Sequence, residues 1–400
     1  MANKFLGAAK NAKKDEFYTQ YSDIQKEIEA YLEYDPDTFR DKIVYCNCDD
    51  PFESNFFRYF ALNFNRLGLK QLITTSYKPS PIANTQLGLF GDSKTVNPEK
   101  GRPKVTANKF IINEVHDVDS DGAFNLSDVA EQLKANKNNE WSPLDGDGDF
   151  RSPECIELLK KSDIVVTNPP FSLFRQYIKQ IFEYNKKLLV IGNINAVTYK
   201  EIFPLIKENK LWTGIRFNKR VGGKNMTFYV PDDYPLAGTE VETDADGRKL
   251  ISVSGTGWLT NLDHGRRHQP LSLMTVDDNL KFNKNMAGKK SYEKYDNYDA
   301  IEVPFTNAIP SDYKGLMGVP ITFLDKYNPD QFEIVGMCEN EDLYNLKTKQ
   351  YSNQEKKDAY FAKFGKTGQY DLNASGVVYR GGRYEKVYQR ILIRHIGVKA

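Results

Sequence analysis

One stretch of the chain constrains its fold more than any other: Asp163-Ile-Val-Val-Thr-Asn-Pro-Pro-Phe171. Its β-branched run predicts a short strand buried on both faces. Two prolines follow at once. They lack backbone N–H groups and fix φ, so the chain can neither extend the ladder nor enter a helix there. It must leave the sheet as a stiff loop. Phe171 to Tyr184 then carries apolar residues at helical spacing. A strand, a rigid loop and a helix in this order place the loop beyond the carboxyl end of a strand in an open α/β sheet, where ligands sit in such folds.

The flanking sequence repeats the alternation. Phe17, Tyr21, Ile24, Ile28, Tyr31 and Leu32 mark one helical face over Glu16–Glu33, with Ser22 or Thr19 as a cap. Lys42 to Cys46 reads as a strand ending in the polar turn Asp49-Asp50-Pro51. Ser54 is placed to cap a helix over Asn55–Gly68, and Leu69 to Thr75 reads as the next strand. Further strands are expected at Lys109–Val115, Leu188–Gly192, Met226–Val230 and Gly257–Leu262. Helices are expected at Leu126–Leu133 and Ile202–Lys210. Residues 78–107 are rich in Pro, Gly, Asn, Ser and Thr and read as an insertion, and Asn136 to Asp149 reads as a polar loop. After about Pro270 the helical alternation fades, which predicts a domain over 1–270 and a second over 271–400.

Bulk properties narrow the class little. The 55 basic and 54 acidic residues leave a net charge of +1, so charge alone does not mark a nucleic-acid binder. No apolar run approaches the ~18 residues of a membrane span. The first residues lack a secretory apolar core. A cytoplasmic location is expected. Cys46, Cys48, Cys155 and Cys338 are too few and too scattered for a disulfide framework or a zinc site. Asp117-Val-Asp-Ser-Asp-Gly122 matches half of a calcium loop, but the strand expected before it favours a plain turn. No metal is expected.

Asn168-Pro-Pro-Phe171 resembles the (Asp/Asn/Ser)-Pro-Pro-(Tyr/Phe/Trp) motif of amino-methyltransferases. The wider chain resembles the EcoRI-type adenine-specific DNA methyltransferases. The resemblance rests on Asp15–Gln20, Val44–Pro51, Ser54–Phe60, Gly148–Arg151, Asp163–Phe174, Trp258–Asp263 and Gly318–Asp325. It implies a Rossmann-like doubly wound methyltransferase domain followed by a target-recognition domain. It implies S-adenosylmethionine as cofactor, and double-stranded DNA as substrate with the target adenine flipped out of the stack. A cognate restriction endonuclease acting on the same site is the implied partner, unless the enzyme is solitary.

The resemblance also assigns roles. Asn168, Pro169, Pro170 and Phe171 become the catalytic loop. The Asn168 side-chain oxygen and the Pro169 carbonyl would accept both hydrogens of the adenine amino group, and Phe171 would stack on the base. Tyr18, Thr19, Asn47, Asp49, Asp50, Asp149 and Phe150 become cofactor contacts, although the loop at 47–51 lacks the usual glycines. Ser76 and Tyr77 stand where a ribose-binding acid is usual. The basic turn Gly265-Arg266-Arg267-His268 and the basic, tyrosine-rich stretch 375–400 supply Arg266, Arg267, Arg380 and Arg383 as expected DNA contacts. Methylation of RNA adenine or of a protein glutamine amide is the alternative chemistry. A non-catalytic DNA-binding protein on the same fold is the alternative class.

Overall fold

The computed structural model describes residues 18–48, 54–77, 107–117, 125, 128–129, 131–132, 138–217, 226–230, 241–244, 247–253 and 255–397. The chain divides into two compact units. One comprises residues 1–202 and 211–265, the other 203–210 and 266–400.

The first unit begins with β1 (Tyr18–Thr19), α1 (Tyr21–Tyr34), β2 (Ile43–Cys46), α2 (Asn55–Leu62), α3 (Phe64–Leu67) and β3 (Gln71–Thr75). It continues with β4 (Asn108–Ile112), β5 (Glu140–Pro143), α4 (Pro153–Lys161), β6 (Ile164–Thr167), α5 (Phe174–Glu183) and β7 (Lys187–Asn193). Helix α6 (Phe203–Lys207) belongs to the second unit. The first unit then resumes with β8 (Trp212–Phe217), β9 (Thr227–Tyr229), β10 (Val241–Thr243), β11 (Lys249–Ser252) and β12 (Thr256–Thr260).

Eight strands form the main sheet, in the order β5-β4-β3-β2-β6-β7-β12-β8. Its centre, β3-β2-β6-β7, is parallel. Antiparallel strands extend it on both sides, β4 and β5 beyond β3, and β12 and β8 beyond β7. The expected α/β sheet is therefore present, but only its middle is parallel. All four residues of β6 are buried, as a strand covered on both faces requires. The Asp163 carboxylate accepts the Ile43 N–H at 2.8 Å and fixes the start of β6 against β2. The main core joins Val44 and Cys46 of β2 to Phe56, Phe57 and Phe60 of α2, Val166 of β6, Ile191 of β7 and Trp258 of β12.

Two local expectations change. The first helix starts at Tyr21 rather than Glu16, and its cap residue Gln20 makes no side-chain cap bond. Tyr18 and Thr19 instead pair with Tyr229 and Phe228 of β9, in a small sheet ordered β1-β9-β11-β10. A partner more than two hundred residues away overrides the local helical pattern. The polar segment before Asp149 contains β5, whose Trp141 ring lies 5.5 Å from Phe110 of β4 in an edge-on packing. Most of 126–133, and the calcium-like turn beyond Asp117, lie outside the described residues.

The second unit contains α7 (Val276–Phe282), β13 (Ala300–Glu302), β14 (Leu316–Pro320), β15 (Phe332–Met337), α8 (Asn353–Phe364), β16 (Val377–Arg380), β17 (Arg383–Lys386) and β18 (Arg390–His395). Its sheet runs β13-β14-β18-β15. The β16–β17 hairpin turns at Gly381 and Gly382, whose φ values of 56° and 80° suit the tight turns that match strand twist. At the centre of this unit Arg390 and Glu302 form a buried ion pair at 2.7 Å, and the Tyr295 hydroxyl donates to the same carboxylate.

Candidate active site

The strand order reverses between β2 and β6. From β2 the chain crosses to β3 on one side, and β6 lies on the other. The switch point of the sheet therefore lies at the carboxyl ends of β2 and β6, the place where open α/β sheets hold ligands. Asn47 follows β2 there, and Asn168 follows β6.

The two ends are tied together. The Thr167 hydroxyl donates to the Asn47 backbone carbonyl. Asn168 is half-buried, Pro169 is buried, and Pro170 has the extended conformation (φ −60°, ψ 122°) expected of a stiff loop. Phe171 opens a short 3-10 turn that leads into α5. Its half-buried ring packs on the main core. Gly192 on β7 lets the ring of Phe174, the first residue of α5, lie close against the sheet, because a Cβ there would stand 2.7 Å from that ring.

Helix α5 gathers the rest of the site. Its Tyr177 hydroxyl donates to the Asn47 side-chain oxygen. The Asn47 backbone carbonyl and side-chain oxygen are thus both engaged as acceptors, which leaves its NH2 as the group with hydrogens to donate. The Tyr177 ring packs edge-on to Phe150, with centroids 5.0 Å apart. Gln180 donates to the Phe150 carbonyl at 2.8 Å. Arg151 grips Asp149 with Nε and Nη2 at 2.8 and 2.6 Å and also donates to Gln176 of α5. Hydrogen bonding from Arg151 holds the Asp149 carboxyl below the usual range, so it is an acceptor at neutral pH.

The loop before Asp149 is seated on the end of β3. Gly148 has φ +79°, and a Cβ there would meet the Ser76 carbonyl oxygen at 1.9 Å, so only glycine fits. The Ser76 hydroxyl accepts the Asn108 N–H at 2.8 Å, which commits it to the sheet. At the far end of the loop after β2, Ser54 caps α2, and the Asn55 amide donates to the Thr19 carbonyl at 2.8 Å. The buried Thr19 hydroxyl oxygen has no hydrogen-bond partner among the described residues.

The structure thus brings Asn47, Asp149 and Phe150 together with Asn168–Phe171, and sets Thr19 at the amino end of α2. Asp49, Asp50 and the Tyr18 side chain lie outside the described residues. Sequence reasoning missed Tyr177, Arg151 and Gln180. Tyr177 shares a buried stripe with Phe174, Ile178 and Ile181. A tyrosine on such a stripe needs a partner for its hydroxyl, and that was the available signal. Replacing Tyr177 with Phe leaves the Asn47 oxygen buried and short of its donor. Denaturant unfolding is expected to show a loss of about 1–3 kcal/mol, with the slope of the transition unchanged.

The four expected DNA-contacting arginines all belong to the second unit. Arg266 is paired with Asp325, each side chain at most 15% exposed. Arg267 is buried and donates to Asn209. The basic turn at 265–268 is therefore folded inward by acidic and amide partners that no local pattern reveals. Arg380 makes two 2.6 Å bonds to Glu293. Arg383 is exposed and shares Glu385 with Arg380.

Among the described residues no group of His, Cys, Asp and Glu is placed to hold a metal ion, and no helix is long and apolar enough to cross a membrane. Residues 5–396 match the family described as adenine-specific methyltransferase EcoRI. The chain is 46% identical to the type II methyltransferase M.EcoRI of Escherichia coli over 83% of its length and 89% of that protein. It is 35% identical to the type II methyltransferase M.MpnI of Mycoplasma pneumoniae over 87% of its length and 90% of the relative. It is 37% identical to M.MgeORF184P of Mycoplasma genitalium over 83% of its length and 86% of the relative. No solved structure matches it. A match along nearly the whole chain, with the Asn-Pro-Pro-Phe loop at the switch point of the sheet, makes this protein a member of the adenine-specific methyltransferase EcoRI family.

Proposed function

We propose that this methyltransferase takes the methyl group of S-adenosylmethionine and places it on N6 of an adenine flipped out of double-stranded DNA. The observation that carries the reading is the tie between the ends of β2 and β6, which sets Asn168-Pro-Pro-Phe171 beside Asn47.

The residues around the switch point suit the cofactor. Asp149 offers acceptors, Phe150 an aromatic wall, Asn47 amide donors, and Thr19 a buried hydroxyl without a described partner. A nucleoside with an amino-acid tail presents matching donors, acceptors and a flat ring. Tyr18, Asp49 and Asp50, which lie outside the described contacts, would complete the set, with the acids as acceptors for the ammonium of the tail. When bound, the cofactor supplies a methyl group activated by a sulfonium.

The chain's own part is to prepare the nucleophile. An adenine amino group is a poor nucleophile because its lone pair is delocalised into the ring. The Asn168 side-chain oxygen and the Pro169 carbonyl accept its two hydrogens. The nitrogen then becomes more tetrahedral, and its lone pair projects along one direction. Pro170 stiffens the loop and Phe171 stacks on the base. Fixed dipoles and positioning supply the acceleration. Inside a duplex this amino group is paired and stacked, so the nucleotide leaves the helix first.

The second unit serves target recognition, with Arg383 the most accessible of the four arginines. The type II names of the relatives support a restriction–modification setting, with a cognate endonuclease and action on cytoplasmic DNA. The test is transfer of labelled methyl from S-adenosylmethionine to unmethylated duplex DNA, followed by nucleoside analysis. The expected product is N6-methyladenine. Label in RNA alone, or none in any nucleic acid, would overturn the proposal.

A further inference from the structure

The arginines selected by sequence are mostly engaged in ion pairs, which leaves open how the second unit would hold DNA. We infer that the surface formed by residues 281–290 is a duplex-DNA contact, in which Lys281, Lys284 and Lys290 meet phosphates and Phe282 makes the non-polar contact. The inference rests on the DNA reading proposed above.

Residues 281–290 read Lys-Phe-Asn-Lys-Asn-Met-Ala-Gly-Lys-Lys, four lysines with no acid. Lys289 is paired with Glu293 at 3.5 Å. Lys281, Lys284 and Lys290 are exposed and form no ion pair among the described residues. This is the reverse of the situation at Arg266 and Arg380. Although Asp277 and Asp278 lie one turn before Lys281 on α7, three lysines without an ion pair on one short segment make a local positive field that complements a phosphate backbone.

Phe282 is the most exposed phenylalanine of the described chain, at 70%. It is not on a slack loop. It ends α7, and the residues beside it are fastened by buried amides. Asn283 donates to the Asn279 side chain and to the Asn307 carbonyl, both at 2.9 Å. Asn279 is fully buried and donates to the carbonyls of Met274 and Thr275. Asn285 donates to the Asn307 side chain at 3.1 Å, and Met286 is fully buried. A large apolar ring held out to water on a rigid support, among unpaired lysines, has the composition of a nucleic-acid contact. Aromatic and apolar side chains there pack on sugars or wedge between bases while cations take the phosphates.

The test measures binding of the full-length protein to duplex DNA across a salt series. Each phosphate contact contributes about 0.9 to the slope of log K against log salt. The Lys281→Gln/Lys284→Gln variant is expected to lower that slope by about 1.8 and to weaken binding at least tenfold at low salt, with the unfolding midpoint unchanged. Phe282→Ala is expected to weaken binding while leaving the slope as it was. A wild-type slope and affinity in both variants would overturn the inference and leave the DNA reading intact. Failure of the wild-type protein to bind or methylate DNA would overturn the DNA reading itself.

Discussion

Replacing Asn168 with Ala is expected to lower the rate of methyl transfer by roughly 10²–10³-fold, the usual effect of removing one fixed dipole at a reacting centre. The backbone should survive the change, since Pro169 and Pro170 fix the loop from behind and the β6 residues before it are buried. The loss is therefore expected in kcat, with cofactor affinity changed only a few-fold. Asn168→Asp keeps an oxygen acceptor in place and is expected to retain more activity than Asn168→Ala. Single-turnover transfer and equilibrium cofactor binding separate the two quantities. If Asn168→Ala transferred methyl at the wild-type rate, the assigned role of this side chain would be lost. If its cofactor binding collapsed while the transfer rate held, Asn168 would be a cofactor ligand instead.

The second large effect lies in the other unit and is one of stability. Glu302 is 2% exposed, and both Arg390 and the Tyr295 hydroxyl depend on it. Glu302→Ala leaves a buried guanidinium without a counter-charge. Breaking one side of such a pair costs about 3–5 kcal/mol. Thermal unfolding is expected to show a lower midpoint, or a separate early transition for the second unit. Replacing both members with uncharged residues of similar size (Glu302→Gln, Arg390→Met) is expected to recover much of the loss, because no charge is then stranded. An unchanged midpoint in Glu302→Ala would mean that water reaches the pair.

Arg390 also shows why the basic stretch at 375–400 could not be interpreted from sequence. Arg380, Arg383 and Arg390 look alike in a charge count. Arg390 is a buried structural cation, Arg380 is clamped by Glu293, and only Arg383 is exposed. The partners that decide this lie as many as 88 residues away. The same holds for the turn at 265–268, where Asp325 and Asn209 draw Arg266 and Arg267 inward.

The central motif was legible because its information is local. A β-branched run, two prolines and an amphipathic helix dictate strand, stiff loop and helix through steric limits that act within a few residues. From that follow the α/β class and the position of Asn168 at a strand end. The start of α1 was not legible, because Thr19 and Tyr18 satisfy their backbone groups against β9. Nor was the role of Tyr177, whose hydroxyl reaches back 130 residues to Asn47. By itself the sequence determined the strand, stiff loop and helix around Asn168-Pro-Pro-Phe171, and the alternation of strands and helices that flanks them. Only the tertiary structure decided which strands pair, which buried polar groups satisfy one another, and which cations stay exposed. Those outcomes depend on groups far apart in the chain, brought within bonding distance by the packing of the core.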